Sequence, residues 1–481
     1  MFRKNGEYNE GEETKKKEVP VMKKHTVDMT QGNIFTTLIK FTIPIIIAGV
    51  LQALYTAIDM AVVGNFSSET SLAAVTSTTP AINLMINVFI GMSSATNVIV
   101  ARKFGAGNKS GVEKAMHTAI AVCLVGGLII TVMGMLMAEN ILTWMKCSPE
   151  VLGSATLYMK LYFLAVPATL VYNFSSAIMR AFGDSKRPTY FLAISGLLKV
   201  LLNLLFVIVF KLDVVGVAIA TIVSQLLAAT LVVRALRKFD EGVKLSIRKI
   251  KFHANELREI LLLGIPAGIQ SSIFSLSNVI IQSSINSCGP ATMSANGAAS
   301  SIENIHYVAI NAFFHAMIAF IGQNVGAKRF DRIKKSFWIG LAASGIFGFA
   351  LSMVLIVFAE PLMGIYVDSK EVIKIGAERM IIVGGTQFLC GFMEIGTGSL
   401  RGLGVASRSM FTCLIGSCGV RLLMNWMFYP YNEPKDLVPL YCSYPISWII
   451  TSVALVIFFF SIVNSREKKW KEKLAAEKEN I

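Results

Sequence analysis

The chain has 481 residues, of which 54% are hydrophobic and 16% charged, and a formal net charge of +15. Soluble globular chains carry about 25% charged residues. With a mean hydropathy of +0.60, a soluble helical protein with several cores is excluded, because its helices would need polar faces that these apolar runs mostly lack. The basic surplus is spread over short loops, which argues against nucleic acid as a partner.

The first 40 residues are polar and charged, with Lys15-Lys16-Lys17 and Lys23-Lys24. No apolar stretch follows a short basic start, so no cleavable signal peptide is expected, and the first apolar run would itself target the chain to a membrane. From there, runs of about 20 apolar residues recur, each long enough to cross roughly 30 Å of hydrocarbon as a helix. Twelve spans are predicted, at approximately 41–63, 74–100, 115–138, 155–178, 189–210, 214–236, 262–286, 296–322, 337–359, 376–398, 408–429 and 438–463. The short alternating segments of a β-barrel are not the pattern, so the predicted class is an all-α polytopic membrane protein. In span 1, QALYTAIDMAVVG (52–64) sets Asp59 in a stretch from Phe41 to Val63 that is otherwise uncharged.

Lys and Arg in alternate loops set the expected orientation. Loops on the side of the N-terminus carry 22 of them and the opposite loops 5, namely Lys146, Lys211, Lys370, Lys374 and Lys435. Both termini are therefore expected in the cytoplasm, and the protein in the plasma membrane. The C-terminal REKKWKEK (466–473) reads as a basic tail, either lying on anionic lipid or solvated. The seven cysteines show no metal-ligand spacing, and an odd count argues against a disulfide framework.

The sequence from Phe41 to Met427 can be laid on itself with a shift of 221 or 222 residues. Pro44 meets Pro266, and Phe104-Gly105-Ala106 meets Val325-Gly326-Ala327. RAFGDSKRP (180–188) meets RGLGVASRS (401–409), and Lys199-x-x-x-Asn203 meets Arg421-x-x-x-Asn425. Six spans per half make the halves parallel repeats, an arrangement in which transporters bind substrate near the midplane and rock the halves in alternation. The expected organisation is a polar cytoplasmic tail (1–40), an N-lobe of six helices (41–236), a cytoplasmic linker (237–261), a C-lobe of six helices (262–463) and a basic cytoplasmic tail (464–481). No GxxxxGK[ST] is present, which argues against ATP-driven export by this chain alone.

Twelve spans in two halves, LYTAIDMAVVG closing span 1, the paired RAFGD and RGLG turns and YPISW (444–448) in span 12 together resemble the multidrug and toxic-compound extrusion (MATE) transporters. The resemblance covers nearly the whole chain outside the tails. It implies a V-shaped pair of six-helix bundles and cation-coupled antiport, in which Na⁺ or H⁺ entry drives export of amphipathic, often cationic, organic compounds. No cofactor beyond the coupling ion and no obligatory protein partner are expected.

The candidate coupling residues are charges stranded in apolar spans, which need a cavity, a partner or a proton. Asp59 matches the family's span-1 aspartate, which the resemblance links to coupling. Burial disfavours its charged form, so it could exchange a proton or hold Na⁺; alternatively it is a structural aspartate bonded to Tyr55 or a neighbouring helix. Gln52, Tyr55 and Asn203 are the plausible polar partners. Some family members pair that asparagine with an aspartate four residues on, where this chain has Val207. Glu303 and His306 fall one helical turn apart in span 8, a candidate proton relay or cation-binding wall; one Glu-x-x-His turn is too little for a di-iron centre. Family members that use a span-7 acid have no match in GIPAGIQSSIFSLSNVII (264–281), so Glu303 could play the analogous part. Glu394 in span 10 is the third buried acid; the family's span-10 acid usually falls one turn earlier, near Cys390, and Glu394 could simply pair with Arg401. Lys199 and Arg421 occupy matched positions in the two halves, and Asp59, Glu303 and Glu394 are their available counter-ions. The Phe and Met content (30 and 22) suits a deformable pocket.

The alternative function is a lipid-linked oligosaccharide flippase of the same superfamily, for which Lys199 and Arg421 would meet pyrophosphate. An enzyme is not expected, since neither HExxH nor GxSxG is present.

Overall fold

The structure, a computed structural model, describes residues 26–67, 69–239, 243–428 and 437–479. Lys15-Lys16-Lys17, Lys23-Lys24 and Lys435, which enter the orientation argument, lie outside the described residues. Among the described residues there are helices and no strands. In order they are α1 (Ile34–Phe66), α2 (Glu69–Gly105), α3 (Lys109–Trp144), α4 (Pro149–Ala181), α5 (Lys186–Asn203), α6 (Asp213–Arg237), α7 (Ala254–Asn286), α8 (Pro290–Gly326), α9 (Phe330–Val357), the short α10 (Ala359–Gly364), α11 (Lys370–Arg379), α12 (Phe388–Gly402), α13 (Ala406–Cys413), α14 (Val420–Phe428) and α15 (Val438–Glu479). Three π-helical segments, Leu204–Val209, Met380–Gly384 and Leu414–Gly419, continue α5, follow α11 and join α13 to α14. Eleven continuous helical stretches are long and apolar enough to span a membrane, and one bent pair makes the twelfth span.

That twelfth span corrects the expectation of an unbroken helix over 376–398. Lys370–Gly384 and Phe388–Gly402 meet at 42°. The break follows a π segment and the pair Gly384-Gly385, two recognised causes of a kink. The Gly384 carbonyl at the break accepts from the Ser352 hydroxyl at 3.0 Å and from the Gln387 N–H at 3.2 Å.

Most helices overrun the predicted spans, because hydropathy marks the hydrocarbon core while backbone hydrogen bonding continues through the headgroup layer. α1 begins at Ile34, capped by the Asn33 side chain, which accepts from the Thr36 N–H. At the other end α15 runs on through the segment expected to be a lipid-lying or solvated tail. Pairs one turn apart, such as Glu467 with Lys471 at 2.8 Å, favour helix there. Three contacts dock the extension: Lys334 to Glu467 at 2.6 Å, Arg466 to the Leu403 carbonyl at 2.7 Å, and Lys328 over the Trp470 ring at 3.7 Å.

Two large apolar cores organise the molecule, one from the end of α1 and α2–α6, the other mainly from α8, α9, α12 and α15. The first and seventh spans belong to both. Ile34, Leu38 and Phe41 at the start of α1 lie in the second core, whereas Val62 and Val63 at its end lie in the first. Reciprocally, Ile260 near the start of α7 packs in the first core, and Ile281 and Ile285 at its end pack against Leu440 of α15.

The halves meet at the end of the bundle that carries the basic loops. A Cβ on Gly91 would overlap the Gly268 backbone, and one on Gly105 would overlap the Gln323 carbonyl. Residues 27–32 seal this end. The Val27 N–H donates to the Gly183 carbonyl at 3.1 Å. Wholly buried Met29 donates its N–H to Gln323 Oε1 at 3.3 Å and accepts from Asn324 at 2.9 Å. Arg332 donates to the carbonyls of Met29, Gln31 and Gly32 at 3.2, 2.9 and 2.9 Å. This strap touches the first half at Gly183 and the second at Gln323, Asn324 and Arg332.

Away from that end the two central helices are less enclosed. α2 is buried throughout Gly91–Ala101, and α8 is buried over Ala309–Asn324 except at half-buried Asn311 and His315. In the other half of each helix, exposed positions such as Thr76, Leu84, Met293 and Ile305 alternate with buried ones. Both central helices are thus enclosed at the basic end and more exposed at the other.

Candidate functional site

In the first half, α1 brings buried Asp59 against α5. Its two carboxylate oxygens accept from Lys199 Nζ and Asn203 Nδ2. The i, i+4 spacing of those donors puts both on one face of α5. The helix turns π-helical immediately after Asn203, and such bulges recur at functional sites. Val207, one turn on, is buried, so the place of the absent second carboxylate is apolar. Tyr158 and Tyr162 of α4 lie within electrostatic reach of Asp59.

Two of the expected partners are not brought to Asp59. The Tyr55 hydroxyl donates to the Ala193 carbonyl at 3.1 Å, its ring lying against Gly196. Gln52 is exposed, and its backbone carbonyl accepts from Thr56 at 3.0 Å. The Asp59 carboxylate instead takes one donor on each oxygen, from Lys199 and Asn203.

In the second half, Glu303 of α8 is held two-pronged by Arg379, the last residue of α11, at 3.2 and 2.9 Å. The remaining arm of Arg379 donates to Asn296 at 2.8 Å, and Asn296 donates to the Tyr441 hydroxyl at 3.0 Å. Gln387, in the break of span 10, donates to the Glu303 carbonyl at 3.2 Å. Arg379 and Asn296 are absent from the sequence-based candidates. The available signal was an arginine inside an apolar span, in ERMIIVGG (378–385). The expected Glu303–His306 relay is not assembled. Glu303 turns to α11, while the His306 ring nitrogens meet no hydrogen-bond partner of good geometry and lie near the Gly348 backbone of α9.

The other charges also differ from expectation. Arg401 lies within electrostatic reach of Glu394 but makes no hydrogen bond to it among the described residues; it donates to Gln270 of α7 at 2.8 Å and sits over the Phe314 ring at 5.1 Å. Glu394, also buried, accepts from the Tyr307 hydroxyl at 3.3 Å. Arg421 has none of the three acids as counter-ion. It donates to the Ser447 hydroxyl at 2.9 Å and lies over the Tyr444 and Trp448 rings at 4.4 and 5.4 Å. Lys199 alone of the matched basic pair has an acid partner.

Comparison with known proteins places these features. The MatE family model matches the chain twice, over residues 44–205 and 266–427, the two halves of the internal repeat. "Probable multidrug resistance protein YoeA" of Bacillus subtilis is 24% identical, over 93% of this chain and 96% of its own length. "Probable multidrug resistance protein YpnP" of the same organism is 26% identical, over 94% and 99%. Among solved structures, the outward-facing conformation of a multidrug resistance MATE family transporter superposes with a TM-score of 0.87, at 19% identity, covering 93% of this chain and all of that one. With two family-model matches that together cover more than half of the chain, the chain belongs to the multidrug and toxic-compound extrusion family, whose members are transporters and not enzymes.

Proposed function

We propose that the chain is a secondary active exporter in the plasma membrane, in which Na⁺ or H⁺ influx drives extrusion of amphipathic organic compounds by rocking of the two lobes. The loop charges put the basic end and both termini in the cytoplasm. The cleft then opens outward, the state in which cargo leaves and the coupling cation enters.

The observation that carries this reading is the Asp59–Lys199–Asn203 cluster, a carboxylate shared between a counter-charge and a neutral amide. A proton or Na⁺ arriving at Asp59 competes with Lys199, frees α5 from α1, and so ties cation loading to helix movement. A charge at a span centre costs about 2.5–3.5 kcal/mol, so an ammonium released from its acid must be rehydrated in the cleft or re-paired. Glu303, locked two-pronged by Arg379, serves as a structural anchor in this scheme. Glu394, bonded to a phenol, is the acid left to meet a cationic compound. The flippase reading gains no support from these relatives.

The test is ethidium efflux from proteoliposomes under imposed Na⁺ or pH gradients. Asp59→Asn should abolish gradient-driven efflux while the protein inserts normally; undiminished efflux by that variant would refute the coupling role.

A further inference from the structure

We propose that the second lobe carries an anion-binding subsite at Arg421, which takes the carboxylate, sulfonate or phosphate head of an amphipathic organic compound. This deepens the export reading and rests on it for the identity of the ligand as cargo.

The internal repeat supplies the comparison. In the first half, Lys199 and Asn203 of α5 close on Asp59 of α1. A shift of 222 residues carries Lys199 onto Arg421 and Asn203 onto Asn425, but it carries Asp59 onto Ile281. The surrounding geometry is kept: α14 faces α7, with Asn425 donating to Ser284 at 3.0 Å, one turn from Ile281. The basic side chain remains and its acid has been replaced by an alkyl group.

Arg421 is nevertheless only 4% exposed. A guanidinium has five N–H donors, and among the described residues the Ser447 hydroxyl is its one hydrogen-bond acceptor. Its charged neighbour is Arg379, of the same sign. Asp59, Glu303 and Glu394, the buried acids of the spans expected as counter-ions, are otherwise placed: Asp59 with Lys199, Glu303 with Arg379, and Glu394 with Tyr307 and, electrostatically, Arg401, while Glu378 of α11 is exposed and acts on Tyr441. Tyr444 and Trp448 offset part of the cost of burying the charge but accept none of its remaining protons in the plane of the fork. A planar or tetrahedral oxyanion fits that fork. The π segment Leu414–Gly419 ends two residues before Arg421, in keeping with a functional position.

The test is equilibrium binding of three probes that differ only in head group, pyrenebutyrate, pyrenebutanol and pyrenebutyl-trimethylammonium, to the full chain in phosphatidylcholine nanodiscs. The wild type should prefer the carboxylate over the alcohol by roughly tenfold or more. Arg421→Gln should erase the preference, and Arg421→Lys should retain part of it. Ile281→Asp, which restores the missing acid and leaves Arg421 in place, should also erase it. The readout is a ratio within one protein, so a destabilised variant still reports. Equal affinities in the wild type, or a preference that survives both Arg421→Gln and Ile281→Asp, would overturn the subsite. In nanodiscs rich in phosphatidylglycerol, retention of the preference supports a cargo ligand, whereas its loss assigns the subsite to a lipid head group and overturns the cargo reading. No gradient is involved, so failure of coupled efflux and failure of this subsite are separately visible.

Discussion

Asp59, Lys199 and Asn203 were legible as residues because each interrupts an apolar run, and a polar group in hydrocarbon must find a partner. Their assembly was only half legible. Tyr55, one turn from Asp59 on the same helix, looked the nearer partner, yet the cluster is built across 140 residues from Lys199. Glu303 teaches the same lesson: local spacing pointed to His306, while the fold supplies Arg379, 76 residues away. Breaking a buried ion pair leaves an uncompensated charge and costs about 3–5 kcal/mol, whereas removing both partners costs much less. Glu303→Gln should therefore lower the thermal stability of the detergent-solubilised protein markedly, and Glu303→Gln/Arg379→Met should regain most of it. A double variant as unstable as the single one would show that the pair is not the source of the loss. By the same logic, Lys199→Met should be more destabilising than Lys199→Met combined with Asp59→Asn, measured in the same assay.

The twelve elements were readable from the apolar runs, but their interruptions were not. Met380–Gly384 is as apolar as its neighbours, and nothing in its composition distinguishes a π segment from an α-helix; Gly384-Gly385 alone hinted at the bend. The strap over residues 27–32 was hidden for a different reason. It is a short polar stretch whose order comes from Arg332, 300 residues away from Gly32. Arg332→Ala removes three hydrogen bonds from a charged donor, and losses of this kind reach about 1.5–3 kcal/mol each. Amide hydrogen exchange over residues 27–33 should accelerate by about tenfold or more; unchanged protection would mean that Gln323 and Asn324 hold the strap without Arg332. At the crossing of α2 and α7, Gly91→Val should cost about 1–3 kcal/mol through overpacking, seen as a lower melting temperature.

For the whole molecule, the shift of about 222 residues disclosed two halves and hence the expectation of a cleft between them. The exchange of α1 and α7 between the halves was not disclosed, since it depends on which core receives each end of a helix. That exchange couples the lobes at the basic end, so opening there requires the first turns of α1 and α7, the strap and the α2–α8 contact to move together. The account is therefore one of rocking about a shared, cation-sensitive N-lobe cluster. Its most direct test is the distance between spin labels at Thr76 on α2 and Met293 on α8, both exposed at the open end, in a cysteine-free background in lipid. The account predicts a wide separation when the protein is empty and a second, shorter population when cargo is bound, with Asp59→Asn altering the balance between them. One unchanging distance under all conditions would contradict it.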